Sequence, residues 1–336
     1  MAAAQATVSV PFEILLEQGG LDASALHTFA GALAAAHARA APGDGAALLA
    51  RIERLAKSDA QRRELSRQLP LLRRRNTAKR VRQLQDGAPE DILFDLAGHL
   101  LQLVQRGLAT EANILANRYL DVEPQGATGW ATLPLLLSLR ATEAGDAALA
   151  ESALAPYPPR LVAIGGLSGT GKSTLSRLLG ARLGRMPGAR VLRSDVFRKR
   201  LAGLAPETRL PPAHYTRHSD EETYEALFES ADDHIACGNS VILDAVFLSR
   251  SERDVAEAIA LRRRVPFTGL WLEAPERDRI ARVSARDGDA SDATVEVVRE
   301  QSRLSVGELA GWHRMRVNRP LDLIVPAARA VLDRRR

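Results

Sequence analysis

The sequence predicts an α/β protein: a parallel sheet with helices on both faces, preceded by an all-α domain. Two observations lead to this fold class. After about residue 157, short apolar runs rich in β-branched residues alternate with helical patterns, as in a parallel sheet with crossover helices. Before that point, apolar residues recur at helical spacing and no strand pattern is convincing. The composition therefore changes once along the chain.

In the first half, the amphipathic pattern is clearest where Leu93, Leu96 and Leu100 share one helical face. The predicted helices are Leu21–His37, Ala46–Arg82 with a break near Pro70, Asp91–Gly107, Glu111–Leu120 and Trp130–Leu149 entered around Pro134. The run Tyr157-Pro158-Pro159 is typical of a stiff link. We therefore expect a helical domain over residues 1–156 and a second domain over residues 157–336.

In the second half, the predicted strands are Leu161–Ile164, Arg190–Leu192, Val241–Leu243 and Pro266–Leu272. The predicted helices are Ser173–Leu183, Ser219–Cys237 and Asp254–Arg264. Ser219 with Glu222, and Ser249 with Glu252, have the spacing of capping boxes. In such sheets a ligand lies at the carboxyl ends of the strands, so we expect the functional site there.

Composition excludes several classes of protein. The 336 residues suggest two domains, and the hydrophobic fraction of 46% can form cores. Cys237 is single, so no intrachain disulfide can form. No apolar run is long enough to span a bilayer, and residues 1–10 do not resemble a secretory signal, so the cytoplasm is expected. A net charge of +5 permits anionic partners, but only 4% of residues are aromatic, which is poor for stacking on bases.

A phosphate-binding loop follows the first predicted strand. Residues 166–173 fit G-x-x-x-x-G-K-[ST] at each fixed position, between a strand and a helix. The spacing lets backbone N–H groups surround a phosphate, while Lys172 reaches the β- and γ-phosphates and the Ser173 hydroxyl ligates Mg²⁺. The predicted nucleotide contacts are Gly166, Ser168, Gly169, Thr170, Gly171, Lys172, Ser173 and Thr174. Since no N-K-x-D stretch is present, ATP is favoured over GTP.

Carboxylates end the second and third predicted strands. Asp195 is placed to accept a proton from an acceptor hydroxyl or to orient it; its alternative role is a helix N-cap. Asp244 ends an apolar strand and fits a Mg²⁺ ligand; its alternative role is a turn residue. Arg198 lies one helical turn after Asp195 and could bind an anionic acceptor or a phosphate, or be a solvated helix arginine.

Arginines follow the fourth predicted strand. Arg279, Arg282 and Arg286 share one helical face, and Arg282 and Arg286 are candidates to neutralise a transferring phosphoryl group. A solvated basic face is the alternative. Between the second and third strands, Tyr215 is a candidate acceptor contact, and His214, His218 and Tyr224 could also reach the acceptor. Ordinary packing or exposure is the alternative for each.

Residues 161 to about 317 resemble the P-loop, AAA-type kinases that form the C-terminal half of two-part bacterial proteins. The matching stretches are Gly165–Thr174, Leu192–Arg200, Leu210–Pro212, Val241–Phe247 and Arg286–Asp292. More distantly, this half is similar to polynucleotide kinase, gluconate kinase and chloramphenicol phosphotransferase. The resemblance implies a nucleoside-monophosphate-kinase-like sheet and a catalytic base at Asp195. These relatives differ in substrate, so the resemblance names no acceptor.

The first half resembles the C-terminal helices of aminoglycoside-phosphotransferase-like domains, which usually precede such kinases. The similar stretches are Asp91–Ala97, Arg106–Leu108 and Asn117–Leu120. The chain has no H-G-D-x-H motif, and Arg82–Gly87 stands where that motif is expected. We therefore expect an inactive remnant, a helical companion domain. The basic cluster of Arg73, Arg74, Arg75, Lys79, Arg80 and Arg82 could bind an anionic partner or be a solvated face.

Three functions remain open at this stage. The first is an ATP- and Mg²⁺-dependent kinase that acts on a hydroxyl acceptor, with Lys172, Asp195, Arg282 and Arg286 as catalytic residues. Ser173 and Asp244 hold the metal, while Asp195, Arg198 and Tyr215 contact the acceptor. The second is an ATP-binding switch that acts through a protein or nucleic-acid partner. The third is a polynucleotide 5′-hydroxyl kinase, whose activity should fall steeply with salt.

Overall fold

A computed structural model describes residues 12–17, 21–84, 88–285 and 290–334. The chain divides into two compact units. The first comprises residues 1–124 and 132–154, and the second comprises residues 125–131 and 155–336. None of the described helices is long and apolar enough to cross a membrane. The two units are considered separately below.

The first unit is helical apart from a short hairpin. Its helices are α1 (Phe12–Glu17), α2 (Ala23–Arg39), α3 (Gly45–Leu55), α4 (Asp59–Thr77), α5 (Ile92–Gln105), α6 (Ala109–Val122), α7 (Gly126–Glu143) and α8 (Ala147–Ala153). Residues 126–131 of α7 count with the second unit. The antiparallel strands β1 (Val81–Gln83) and β2 (Pro89–Asp91) were not predicted. They are three residues long, too short to show a two-residue hydrophobic period.

The predicted helix break near Pro70 is wrong. Pro70 lies inside α4, and the break falls at residues 56–58, between α3 and α4. There Ser58 and Gln61 form a complete capping box, in which each side chain accepts from the other residue's backbone N–H. A cap supplies partners for two N–H groups at a new helix start, whereas a proline removes one backbone donor.

Part of the basic cluster in the first unit is paired internally. Arg75 is buried, and it donates through Nε and Nη2 to the two carboxylate oxygens of Asp91, each at 2.7 Å. Asp91 also caps α5 through the Leu93 N–H. Arg80 forms an ion pair with Glu123. These two arginines therefore serve the fold of the unit.

The second unit is built on a parallel sheet that has five strands in the described part of the chain, in the order β4-β5-β3-β6-β7. The strands are β3 (Leu161–Gly165), β4 (Arg190–Arg193), β5 (Val241–Asp244), β6 (Phe267–Glu273) and β7 (Trp312–Arg316). The helices are α9 (Lys172–Gly180), α10 (Ser194–Leu201), α11 (Arg217–Ala236), α12 (Arg250–Arg263), α13 (Glu276–Ser284), α14 (Val295–Ser302) and α15 (Leu321–Asp333). The predicted α/β class and the four predicted strands are confirmed.

Helices cover both faces of this sheet, because residues along each buried strand point alternately to opposite sides. Leu161 and Ala163 of β3 pack with α11 and α12, while Val162 and Ile164 pack with α9 and α15. The sheet is tight at β6. A Cβ at Gly269 would lie 2.5 Å from the ring of Trp312, so glycine is needed where the indole crosses the strand.

Two local predictions in this unit need correction. The cap of α11 is Thr216, which accepts from the Ser219 N–H, and not Ser219 itself. The strand β7 was not predicted, because two of its five residues are exposed arginines and a third is a histidine, so it gives no apolar run. The capping box of Ser249 and Glu252 at the start of α12 is confirmed.

Candidate functional site

A cavity of about 1,100 Å³ opens at the carboxyl ends of the central strands. Its walls include these residues named from the sequence: Ser168, Gly169, Gly171, Lys172, Ser173, Thr174, Asp195, Arg198, Tyr215, Tyr224, Asp244 and Arg282. Gly166 and Thr170 support the same loop without lining the cavity. Arg286 lies outside the described residues. The structure thus places residues from five separate stretches of sequence around one space.

The loop between β3 and α9 requires glycine at three positions. Gly166, Gly169 and Gly171 have φ of 143°, 83° and 90°, values that residues with a Cβ rarely adopt. Packing adds a second requirement at two of them. A Cβ would lie 2.7 Å from the Leu272 carbonyl oxygen at Gly166, and 2.5 Å from the Arg279 carbonyl oxygen at Gly169. The loop conformation is therefore set both by its own backbone and by the elements beneath it.

Lys172 begins α9 and folds over the loop. Its Nζ donates to the carbonyl oxygens of Gly166 at 2.7 Å and Leu167 at 3.3 Å. The N-terminus of α9 supplies the positive end of the helix dipole at the same place. A cationic group and a helix N-terminus therefore lie together at the loop, a combination that favours anions.

A glutamine from α14 also reaches this loop. The Ser168 N–H donates to Gln301 Oε1 at 2.8 Å. The sequence analysis did not find Gln301, since no motif marks it and it lies 133 residues from Ser168 in sequence. One backbone amide of the loop, that of Ser168, thus has a side-chain acceptor in this structure.

Asp195 is in the first turn of α10, directly after β4. The N-cap residue of α10 is Arg193, so Asp195 lies inside the first turn of the helix and is not its N-cap. The alternative interpretation of Asp195 as a helix cap is therefore wrong. Its carboxylate lines the same cavity as Lys172 and Ser173, although it comes from the next strand along the chain.

Ser173 and Asp244, the two residues predicted to hold Mg²⁺, both face the cavity. Asp244 ends β5 and is 4% exposed. Among the described residues, its buried Oδ2 accepts no hydrogen bond. A hydroxyl and a carboxylate are ligands that Mg²⁺ prefers, and a buried carboxylate oxygen that accepts no hydrogen bond suits a cation, so the residues fit the metal. Elsewhere in the described chain, no cluster of three or more His, Cys, Asp or Glu could hold a metal ion.

Arg193, the last residue of β4, lies between these two side chains. Its Nη2 donates to Ser173 Oγ at 3.1 Å, and its Nε is 3.3 Å from Asp244 Oδ2. Arg193 falls within a stretch that the sequence analysis quoted, but no role was predicted for it. The sequence held one signal for it: Arg193 is the last residue of β4, and ligands lie at the carboxyl ends of such strands.

The predicted arginine face on α13 divides into two roles. Arg282 lines the cavity and donates to the Gly169 and Thr170 carbonyl oxygens at 3.4 and 3.2 Å and to the Val317 carbonyl oxygen at 2.7 Å. Arg279 is buried away from the cavity, and it donates to Ser302 of α14. Burial lowers the pKa of the Arg279 guanidinium. Arg279 is therefore a packing residue, while Arg282 lies where it can reach bound phosphates.

On the opposite side, Arg198 is 10% exposed and forms an ion pair with Asp220 of α11 at 2.6 Å. Its guanidinium also lies 5.2 Å from the centre of the Tyr215 ring, a cation–π distance. The alternative interpretation of Arg198 as a solvated arginine is therefore wrong. His214 and His218 are exposed and do not line the cavity, so their predicted contact with an acceptor has no support.

Asp292 contacts three residues on the side of the cavity where Arg198 lies. Its Oδ1 lies 3.1 Å from Lys199 Nζ, and its Oδ2 accepts from the Leu210 N–H at 3.1 Å and from the Tyr215 hydroxyl at 2.7 Å. Burial and the Asp292 carboxylate raise the pKa of Tyr215, which keeps its hydroxyl a donor. The Lys199 side chain is 1% exposed. Sequence reasoning missed this pair because 93 residues separate its members.

A second tyrosine, Tyr224, also lines the cavity. Tyr224 Oη accepts from the Phe247 N–H at 2.9 Å, where Phe247 has a φ of 54°. Burial raises the pKa of Tyr224, and burial also raises the pKa of the neighbouring Glu252. Glu252 lines the cavity beside Tyr224. The hydroxyl of Tyr224 thus holds the loop after β5 in its strained conformation.

Strand order and the glycine-rich loop together define a P-loop NTPase fold. Comparison with known proteins agrees with this class: residues 161–305 match a family model described as an AAA domain. No curated protein is similar enough to this chain to count as a relative.

Several solved structures are similar to about half of the chain. A sugar kinase from Janibacter sp. HTCC2649 is 23% identical over 52% of this chain and 95% of its own, with a TM-score of 0.40. A gluconokinase from Sinorhizobium meliloti 1021 is 21% identical over 53% and 94%, with a TM-score of 0.39. The APS kinase of Mycobacterium tuberculosis is 18% identical over 53% and 99%, with a TM-score of 0.37. Since these TM-scores are below 0.5, the fold assignment rests on the strand order and the loop.

Proposed function

We propose that this protein transfers the γ-phosphoryl group of ATP to a hydroxyl of a small-molecule acceptor. One observation carries the proposal: the phosphate-binding loop and the carboxylate of Asp195 line the same cavity. A protein that only binds and hydrolyses ATP has no need of a carboxylate and a paired arginine on the acceptor side. The match of residues 161–305 to an AAA domain supports nucleotide binding.

The reaction follows from the placement of the charges. Lys172 and the loop amides bind the β- and γ-phosphates and neutralise charge as the bond to the γ-phosphorus breaks. Asp195 takes the proton from the hydroxyl group of the acceptor molecule. The hydroxyl oxygen forms the new bond to the γ-phosphorus, and ADP leaves. Arg282, held against the loop carbonyls, contributes positive charge next to the transferred group.

The metal site belongs to the same proposal. Ser173 and Asp244 would hold Mg²⁺, which supplies positive charge to the phosphate oxygens when it is bound. Arg198 and Tyr215 form the wall that faces the acceptor. The cavity volume is slightly above the usual range of small-molecule sites, which suits a nucleotide together with a small second substrate.

The experiment is turnover of γ-³²P-ATP with Mg²⁺ against pooled sugars, nucleosides, aminoglycosides and 5′-hydroxyl oligonucleotides. We expect a labelled acceptor from the wild type and none from Lys172→Ala. Lys57→Ala is the matched control, because it removes an exposed lysine of the first unit. Labelled inorganic phosphate alone, from protein that binds ATP, would contradict the proposal and favour a switch. A labelled oligonucleotide would identify a polynucleotide kinase.

A further inference from the structure

The guanidinium of Arg193 occupies the place between the two residues assigned to the metal. Arg193 and Asp244 are paired in register at the ends of the neighbouring parallel strands β4 and β5. Both side chains are largely buried, at 12% and 4% exposure. Nη2 of Arg193 reaches Ser173 Oγ at 3.1 Å while Nε faces Asp244 Oδ2 at 3.3 Å. One planar cation therefore spans both candidate metal ligands.

In this arrangement, Arg193 supplies the positive charge that the buried carboxylate of Asp244 needs. A carboxylate as buried as that of Asp244 is strongly destabilising unless a positive charge lies next to it. Arg193 supplies that charge from the adjacent strand, and arginine stays protonated at any pH at which the protein is folded. The guanidinium of Arg193 therefore balances the charge of the Asp244 carboxylate.

While the guanidinium is in this position, it leaves no space for Mg²⁺ between Ser173 and Asp244. The ion needs oxygen ligands at about 2.1 Å in a nearly octahedral arrangement, with waters in the remaining positions. A guanidinium 3.1 Å from Ser173 Oγ and 3.3 Å from Asp244 Oδ2 fills that space with a like charge. Either cation can lie between Ser173 and Asp244, but not both. Phosphate oxygens that arrive with the metal offer the guanidinium new acceptors, since arginine binds phosphate well.

We propose that Arg193 is the resident counter-ion of the magnesium site and that Mg²⁺ displaces it only when the metal enters together with the nucleotide. The inference rests on the proposed function in one respect, the assignment of Ser173 and Asp244 to Mg²⁺. It does not depend on the acceptor. Its consequence is that metal binding is coupled to nucleotide binding, so the protein does not take up Mg²⁺ alone.

The test measures thermal unfolding of nucleotide-free protein against Mg²⁺ concentration. We expect Arg193→Met to have a lower Tm than the wild type in EDTA and to gain Tm when Mg²⁺ alone is added. The wild type should show no rise in Tm, even at 10 times the Mg²⁺ concentration that saturates the variant. Arg263→Met is the matched control, because it removes one guanidinium paired with Asp232 outside the cavity, and it should behave as the wild type. Equal Mg²⁺ responses in Arg193→Met and the wild type overturn the inference.

A second measurement uses calorimetric titration with AMP-PNP at a series of Mg²⁺ concentrations. The Mg²⁺ concentration that gives half of the full enhancement of AMP-PNP binding should fall at least tenfold in Arg193→Met. Arg193→Lys covers the case in which the methionine variant does not fold. A single ammonium cannot span both ligands as the fork does, so its midpoint should also fall, by at least threefold. An unchanged or higher midpoint in the variant that folds overturns the inference.

Asp244→Asn separates this inference from the proposed function. If Mg²⁺ strengthens AMP-PNP binding in the wild type and Asp244→Asn abolishes that effect, the assignment of the metal site is supported. An unchanged Mg²⁺ midpoint in the Arg193 variants would then overturn only the counter-ion inference. If Mg²⁺ has no effect on binding in the wild type, both fail. If Arg193→Met shifts the midpoint while no acceptor is phosphorylated, the counter-ion role stands and only the kinase proposal fails.

Discussion

The two walls of the cavity are built in different ways. The wall proposed to face the phosphates is one continuous segment, residues 165–174, whose shape is set by its own backbone and by the parts of β6 and α13 packed against it. The wall that faces the acceptor is assembled from side chains of α10, α11 and the segments around Tyr215 and Asp292, which ion pairs and a shared carboxylate hold together. The difference suggests that the nucleotide side tolerates the loss of a distant contact, whereas the acceptor side does not.

The largest effect is expected at Asp292. The variant Asp292→Asn removes the counter-charge of Lys199, whose side chain is 1% exposed, and should lower the free energy of unfolding by about 3–5 kcal/mol. Chemical denaturation measures this loss. AMP-PNP affinity should stay unchanged, because the phosphate loop does not rest on this pair.

Asp232→Asn is the control for that variant. Asp232 pairs with Arg262 and Arg263 at the surface, so its loss should cost no more than about 1 kcal/mol. If the two variants lose equal stability, or if Asp292→Asn abolishes AMP-PNP binding, the two walls are not independent.

Asp195→Asn tests the point at which the two walls meet. The amide cannot accept the acceptor proton, so kcat should fall at least about a hundredfold while AMP-PNP still binds. Steady-state turnover and calorimetry give the two numbers. Asp254→Asn, an exposed carboxylate of α12, should keep full turnover. Unchanged turnover in Asp195→Asn would remove this residue from the mechanism.

His234 extends the comparison to the helix that supports the acceptor wall. Asp220 lies near the start of α11 and His234 near its end, where Asn239 Nδ2 lies 3.2 Å from His234 Nδ1. Burial, together with the positive charge of Arg190, lowers the pKa of His234 to about 3. The imidazole is therefore neutral in the folded protein at a pH where the unfolded chain is protonated.

The sign of the effect follows from the binding of protons. Between pH 6.5 and about 3 the unfolded state binds one more proton at His234, so stability should fall by about 1.4 kcal/mol per pH unit as the pH decreases. His234→Gln should lose this contribution to the slope, as measured by denaturation at several pH values. The exposed His218, changed to Gln, should leave the slope as it is. A slope retained in His234→Gln would contradict the assignment.

The smallest change in stability is expected at Gln301, whose side chain accepts the Ser168 N–H of the phosphate loop from 133 residues away. Gln301→Ala removes the acceptor of the Ser168 N–H and should cost about 1 kcal/mol of stability without weakening AMP-PNP binding, since that amide is then available to a phosphate. Arg299→Ala, at an exposed position of the same helix, should have no effect on either. Loss of AMP-PNP binding in Gln301→Ala would show that the nucleotide wall also depends on distant contacts.

Local signals were sufficient for much of the fold. Four strands of the sheet were predicted because each is an apolar run followed by a turn or a helix start, and Ser249 with Glu252 marked the start of α12. The strand β7 and the β1–β2 hairpin were not predicted. Their sequences lack a pattern of their own, and they are strands because of the neighbours with which they pair.

The sequence by itself determined the phosphate loop, since its chemistry lies within eight consecutive residues whose backbone carries the function. It also placed Asp244 at the end of a strand and Asp195 close after the end of another. Only the tertiary structure decided the other partners: Arg193 between Ser173 and Asp244, Gln301 against Ser168, and Lys199 against Asp292 across 93 residues. The physical reason is that an ion pair or a hydrogen bond between distant residues leaves no periodic signal in either segment, so the packing of strands and helices alone brings the partners together.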